Sequence, residues 1–489
     1  MSRKRARTGN GPGAPSADDS PSMDPSSSAL STRAPRYTTV PTLTTLCSRL
    51  FADKFVRLRN NETIWARVSV HLRNLPEPLL PQLLADLVRV CPTFLKHEFL
   101  VTYFFRGLAL ALPGLPGVQT HTVRALERNS HLRDLDLSGY NKFPDPVFAA
   151  VLPRLPALKR LVLRGCTLVG AKTLAAAAKS CPNIQVLNLN YTAATPQALQ
   201  PLLLACTGLE VLKLAGLQNW TDTTFAKLLS PELTLPHLRT LKLSHLALSE
   251  TSLNLLLPLC PALRRLDLSF TAVRHPLLPS SYPIPPLEKL SLTSTGTSTA
   301  DLLALLPRLP NLETLSLGAL GASPRSIAAI DAGMTLTDAA LLKVLPALQQ
   351  CDRLESVSLV GNIKLGAALE PFVASVGRKC KWLNLSGLPA LRSAHLAGLA
   401  PSDPTSLPAR IETLLLNNTG LDDDAAPFLA ALPTLAWLEV GETKITSEGL
   451  FEVLDACPRL TSLGLKSCRG VRVGERRRFF EVWEERAVV

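Results

Sequence analysis

Leu158-Lys-Arg-Leu161-Val-Leu163 is followed by Ile184-Gln-Val-Leu187-Asn-Leu189 and then by Leu209-Glu-Val-Leu212-Lys-Leu214. The phrase, apolar-x-x-apolar-x-apolar, recurs with its first position at Phe105, Leu132, Leu158, Ile184, Leu209, Leu238, Leu263, Leu287, Leu312, Leu354, Cys380, Ile411, Leu435 and Leu460. Most spacings run from 24 to 31 residues. The alternation at the end of each phrase reads as a short strand whose leucines share one side. A helical stretch follows, as in Gly170-Ala-Lys-Thr-Leu-Ala-Ala-Ala-Ala-Lys-Ser180 or Ser447-Glu-Gly-Leu-Phe-Glu-Val-Leu-Asp-Ala456. A unit of this size cannot bury its own apolar face, so the copies must stack and share one continuous core. The expected fold is therefore α/β: a horseshoe solenoid of about fourteen units with a parallel concave β-sheet and convex helices.

Three residues beyond the last apolar position stand Cys166, Thr192, Thr271, Thr295, Asn362, Thr419, Thr443 and Cys468. A small polar or thiol side chain at that phase can bond the backbone where the chain turns inward. The pattern resembles leucine-rich repeats, L-x-x-L-x-L-x-x-N/C/T, of the ribonuclease-inhibitor-like and cysteine-containing type. The resemblance covers nearly four fifths of the chain.

At 489 residues, length alone suggests about three domains. The repeat overrides that prior, because a solenoid grows without a single-core size limit. A hydrophobic content of 46% with 5% aromatic residues suits a Leu- and Ala-built array. No apolar run reaches the length of a membrane span, and Met-Ser-Arg-Lys-Arg-Ala-Arg has no apolar segment behind it, so the chain is expected to lack a membrane segment and a secretory leader and to work in the nucleus and/or cytoplasm. In a reducing compartment its ten cysteines should be thiols. Cys181, Cys206, Cys260, Cys351 and Cys457 each precede a repeat by three residues, which makes them packing residues of the repeat, and no C-x-x-C pair suggests a metal.

Residues 1–38 are rich in Ser, Pro, Gly and Ala and are expected to be a disordered tail. Its cluster Arg3-Lys4-Arg5-Ala6-Arg7 is of the kind read by nuclear import receptors, or is simply a solvated terminus. Residues 39–104 break the repeat and look helical, residues 105–470 form the array, and residues 471–489, with Phe479, Phe480 and Trp483 at helical spacing, read as a C-terminal capping helix.

Within 39–104, Thr42-Leu43-Thr-Thr-Leu46-Cys47-Ser-Arg-Leu50-Phe51 puts Leu43, Cys47 and Leu50/Phe51 on one apolar stripe. This resembles the elongin-C-binding box, Ser/Thr/Pro-Leu-x-x-x-Cys-x-x-x-small aliphatic, with Phe51 standing where that family has Ala, Ile, Leu or Val. The resemblance implies that Leu43 inserts into a pocket on elongin C with Cys47 packed beside it. Leu75-Pro76-Glu77-Pro78-Leu79-Leu80 is similar both to the cullin-selecting segment that follows such a box and to the opening of an F-box, which would bind a Skp1-like adaptor. The later Cys-Arg-x-Trp of an F-box is absent, so elongin binding is preferred. The same residues could also simply cap the first repeat, as solenoid ends require.

The sheet positions between the leucines display Arg160, Arg164, Lys213, Lys242, Arg265 and Lys289 in the earlier repeats, interrupted by Asp267, and Trp382, Asn384, Leu415, Trp437 and Glu439 in the later ones. A basic stripe followed by exposed aromatic anchors suggests a protein target on the concave face, although the cations could equally be solvating the sheet. The spacing of 42 residues between Leu312 and Leu354, beginning Gly318-Ala-Leu-Gly-Ala-Ser-Pro-Arg325, marks an inserted loop. No G-x-x-x-x-G-K-[ST], G-x-G-x-x-G, G-x-S-x-G or H-E-x-x-H occurs, the eight histidines show no ligand spacing, and Asp422-Asp423-Asp424 sits where carboxylates cap a helix. The chain is expected to be no enzyme, to carry no catalytic or metal site and to use no cofactor. The leading expectation is a substrate-recognition subunit of a cullin-type ubiquitin ligase. A binding scaffold unrelated to ubiquitin is the alternative, and nucleic-acid association, suggested by the net charge of +13, ranks below both.

Overall fold

The computed structural model describes residues 30–32, 42–276, 284–321, 335–401, 407–472 and 474–475. Among the described residues fifteen strands of three residues form one sheet. In chain order they are β1 Leu30–Thr32, β2 Ala109–Ala111, β3 Asp134–Asp136, β4 Arg160–Val162, β5 Val186–Asn188, β6 Val211–Lys213, β7 Thr240–Lys242, β8 Arg265–Asp267, β9 Lys289–Ser291, β10 Thr314–Ser316, β11 Ser356–Ser358, β12 Trp382–Asn384, β13 Thr413–Leu415, β14 Trp437–Glu439 and β15 Ser462–Gly464. From β2 to β15 every neighbouring pair is parallel and in register, so Leu110, Leu135, Leu161, Leu187 and their successors form one buried ladder. The fold is a leucine-rich-repeat solenoid, and its fourteen parallel strands are the fourteen copies of the sequence phrase.

One copy departs from the expected register. Leu110 pairs with Leu135, so the first strand is centred on the last apolar residue of its phrase and the repeat begins at Gly107, two residues after Phe105. The aromatic Phe105 is buried all the same, with Phe104 and Tyr103 in the cap core. A second difference concerns the amino-terminal tail. Leu30–Thr32, inside the stretch expected to be disordered, is a strand that adds antiparallel to β15.

In eight repeats the turn after the strand is fixed by the small polar ladder. Thr192, Thr271, Thr295, Thr419 and Thr443 each donate the hydroxyl to the carbonyl three residues back, at 2.6–2.8 Å. The longer or softer side chains reach the preceding repeat: Cys166 Sγ to Leu137 O at 3.0 Å, Asn362 Nδ2 to Leu317 O at 2.8 Å and Cys468 Sγ to Val440 O at 2.9 Å. All eight side chains are buried, where an unpaired polar group would cost roughly 1–3 kcal/mol.

Carboxylates staple successive helices together, which no local reading of the sequence shows. Asp145 accepts from the amides of Gly170, Lys172 and Thr173 at 2.9–3.1 Å, at the start of the next repeat's helix Ala171–Ser180. Asp222 serves Ser249, Asp338 serves Gly366 to Ala368, and Asp423 serves Thr446 in the same manner. Asp423 therefore caps the following helix rather than the one it opens.

Among the described residues four α-helices precede the array: α1 Leu43–Asn60, α2 Glu62–Arg73, α3 Leu80–Val90 and α4 His97–Tyr103. Thr42 accepts the Thr45 amide to start α1, and Asn61 ends it while accepting the Ile64 amide to start α2. Phe55 is fully buried against Trp65 and Phe99, with ring centroids 5.9 and 5.2 Å away. Leu80, Leu84 and Leu87 of α3 continue without a break into the leucine ladder, so cap and array share one core. The expected C-terminal helix lies almost wholly outside the described residues. No described helix is long and apolar enough to cross a membrane.

Candidate functional site

The first surface is the outward face of α1. Leu43 is 75% exposed, Leu50 60% and Leu46 44%, and Cys47 is exposed between them. Positions i, i+3, i+4 and i+7 lie on one side of a helix, so these four form a continuous apolar stripe in solvent. Burying it would remove a hydration cost that grows at about 25 cal/mol per Å². Phe51, expected at the end of the stripe, turns inward to a tilted contact with Phe55, 6.0 Å between centroids. Leu46 was missed by the sequence reading, although its i+3 offset from Leu43 was the signal.

The helix is held in this orientation from behind. Ser48 Oγ donates to Asp86 Oδ2 at 2.6 Å, and Gln82 and Arg89 meet the same carboxylate from within α3. Asp86 is buried, and its three partners are what let a carboxylate sit there.

Leu75-Pro76 is placed differently. The Leu75 side chain packs against the core, and its carbonyl accepts from Arg106 Nη2 at 2.6 Å. Pro76 is exposed at the start of a single turn over Glu77–Leu79. The apolar residues that follow, Leu80, Leu83, Leu84 and Leu87, all point into the cap. The Leu-Pro entry therefore builds the cap, whereas α1 offers the free apolar face.

The second surface is the side of the sheet turned away from the helices. Arg160, Arg164 and Arg265 are exposed there, and Lys213 and Lys289 are half-buried. Lys242 departs from the expected basic stripe: it is buried and lies 3.4 Å from Asp267, its register partner on β8. Opposite charges on directly facing residues of adjacent strands attract, so this pair is part of the sheet and is withdrawn from solvent.

Trp382 and Trp437 stand in the same register column on either side of Thr413. Two strand steps separate them, ~9.6 Å. Both indoles are half-buried. Trp437 Nε1 donates to Glu439 Oε1 at 3.2 Å, and Asn417 Nδ2 donates to the other oxygen of that carboxylate. Asn417 is itself fixed by accepting the Gly441 amide at 2.7 Å. The result is an aromatic and acidic platform over β12 to β14 in which Trp437, Glu439 and Asn417 are hydrogen-bonded to one another.

The thiols between repeats are not part of either surface. Burial pushes Cys166, Cys206 and Cys457 up to about 11 and Cys181, Cys260 and Cys380 up to about 12. At such values they are neutral packing groups. Among the described residues no group of three or more His, Cys, Asp or Glu side chains could hold a metal ion. The import cluster Arg3, Lys4, Arg5 and Arg7 lies outside the described residues.

Fold and surfaces together define a leucine-rich-repeat solenoid with a helical cap. A family model described as "FBD-associated F-box protein At5g56370, LRR repeats" matches residues 122–233. The "Putative F-box/LRR-repeat protein 23" of Arabidopsis thaliana is 34% identical over 74 residues, which span 15% of this chain and 16% of that relative. In overall fold the chain is similar to a solved structure of the Rad7 and Elc1 complex in yeast, with a TM-score of 0.52 at 17% identity over 89% of this chain and 96% of that one.

Proposed function

We propose that the chain is the substrate-recognition subunit of a cullin-type ubiquitin ligase. In this reading α1 docks on an elongin C or Skp1-like adaptor, the adaptor brings a cullin, and the concave sheet holds a protein target. The chain contributes recognition and no chemistry of its own. The carrying observation is the solvent-facing stripe Leu43, Leu46, Cys47 and Leu50 on the first helix of the cap, because exposed contiguous apolar surface marks a docking site. Helix-in-groove docking uses anchors at this spacing. The similarity to a relative named for an F-box and to a solenoid crystallised with a partner, Elc1, supports an adaptor.

Deleting residues 39–104 would open the shared core, so it cannot separate docking from folding. Substitution on the exposed stripe can, since surface changes away from packed features usually stay within about 0.5 kcal/mol. Tagged full-length chain should co-purify with elongin C, and Leu43→Asp with Cys47→Asp should abolish recovery. Recovery unaffected by the double substitution removes the elongin reading, and recovery of a Skp1-like adaptor in place of elongin C moves it to the F-box arm.

Residence in the nucleus is a further part of the proposal, resting on Arg3, Lys4, Arg5 and Arg7. A fluorescent fusion should lose nuclear accumulation when these four become Ala.

A further inference from the structure

Leu30 lies opposite Gly464, Ser31 opposite Leu463 and Thr32 opposite Ser462. Only ten residues later Thr42 caps α1, which packs on α3 at the other end of the array. A chain of ten residues reaches at most ~36 Å when fully extended. Fourteen strands at about 4.8 Å make an arc of roughly 62 Å along the sheet. The chain from Thr32 to Thr42 can therefore span little more than half of that arc.

The edge that β1 covers has one outward-facing residue. Ser462 already gives its amide to Ala436 O on the β14 side at 3.1 Å, and Gly464 O accepts from Val440 N at 3.0 Å. Backbone groups alternate along a strand, so Leu463 is the residue whose N–H and C=O face away from β14. Ser31 is its partner. An uncovered edge of this kind is a template for another chain. The two ends of the sheet differ accordingly: Ala111 on the opposite edge strand is exposed, whereas Ser462, Leu463 and Gly464 are all buried as in an interior strand.

We propose that Leu30–Thr32 is a built-in closing strand: the chain covers the C-terminal edge of its own solenoid by β-augmentation and so ties the docking end of the horseshoe to its last repeats. The occupant is this chain's own segment, because ten residues suffice to bring it there. The closure also holds Leu30–Thr32 two strands from Trp437 and Glu439 on β14.

Hydrogen exchange followed by mass spectrometry tests this on the full-length chain. Ser31→Pro removes the one N–H that can donate to Leu463, whereas Ser31→Ala keeps it. The peptide containing Leu463 should exchange at least tenfold faster in Ser31→Pro and in a chain lacking residues 2–34, and should stay protected in Ser31→Ala. The β14 peptide, residues 435–441, should be unchanged in all three, reporting an intact array. Equal protection of the Leu463 peptide in wild type and Ser31→Pro overturns the proposal. So does protection that grows with protein concentration alongside a dimer in light scattering, since the strand would then come from a second copy. If the truncated chain fails to fold, the Pro and Ala pair decides the matter.

Discussion

Ser48 and Asp86 stand 38 residues apart in sequence and meet at 2.6 Å, hydroxyl to carboxylate, at the crossing of α1 and α3. That bond orients α1. With its inner side fastened to α3, the helix has only one direction in which to turn Leu43, Leu46, Cys47 and Leu50.

Replacing Asp86 by Ala leaves Ser48, Gln82 and Arg89 without their common acceptor. A loss of about 1–3 kcal/mol is expected in urea unfolding. Adaptor recovery should fall with it, and Asp86→Asn, which keeps an acceptor oxygen for Ser48, should retain more of both.

Asp145→Ala should cost about 1–2 kcal/mol, although Asp145 lies 25 residues before the helix it caps. Gly170 offers that helix no side-chain cap of its own. The loss should appear as faster amide exchange over 170–180, and Lys172→Ala, on the same turn but exposed, should change it little.

The pair of His275 and Asp301, 2.8 Å apart, sets a pH dependence. The hydrogen bond that His275 donates to Asp301, reinforced by the charge of that carboxylate, raises His275 above its ordinary 6.5. A raised folded value means stability that is fully present below 6.5 and is lost as pH rises through the folded value. Asp301 has the opposite sign: burial alone would raise it, but the bonds from Ser298 and His275 hold it below 3.8, so its contribution is lost as pH falls through that lowered value. Melting temperatures from pH 5 to 8.5 should show a decline on the alkaline side that His275→Gln flattens.

Trp382→Ala and Trp437→Ala should each leave the array folded, since both rings are only half-buried. If the aromatic platform anchors the target, both should lose the same set of proteins in proximity labelling, each at least tenfold, while the adaptor is still labelled. Sets that differ between the two variants would mean that the tryptophans serve separate partners.

The solenoid was legible because its period is imposed by stacking and is written as leucines in fourteen places. The register of the first copy was not, since Phe105 and Leu108 satisfy the same pattern two residues early and only pairing with Leu135 decides between them. The stripe on α1 was legible from helical spacing, but the inward turn of Phe51 depends on Phe55 and on the packing of Trp65 and Phe99 behind it. Lys242 looked like its exposed neighbours because its partner Asp267 is one repeat away. The staples from Asp145, Asp222, Asp338 and Asp423 were hidden for the same reason: each acts on a helix 23 or more residues further on. Leu30–Thr32 has the composition of a tail, and only the edge of β15 gives it a strand to join.

The repeat also sorts the sulfur chemistry of the molecule. Eight cysteines are buried and Cys351 is half-covered, which leaves Cys47 as the one fully accessible thiol of the ten. A maleimide dye added to the native protein should therefore mark α1 almost alone, without any engineered handle. Adaptor binding would then be read directly as shielding of that single sulfur from the reagent.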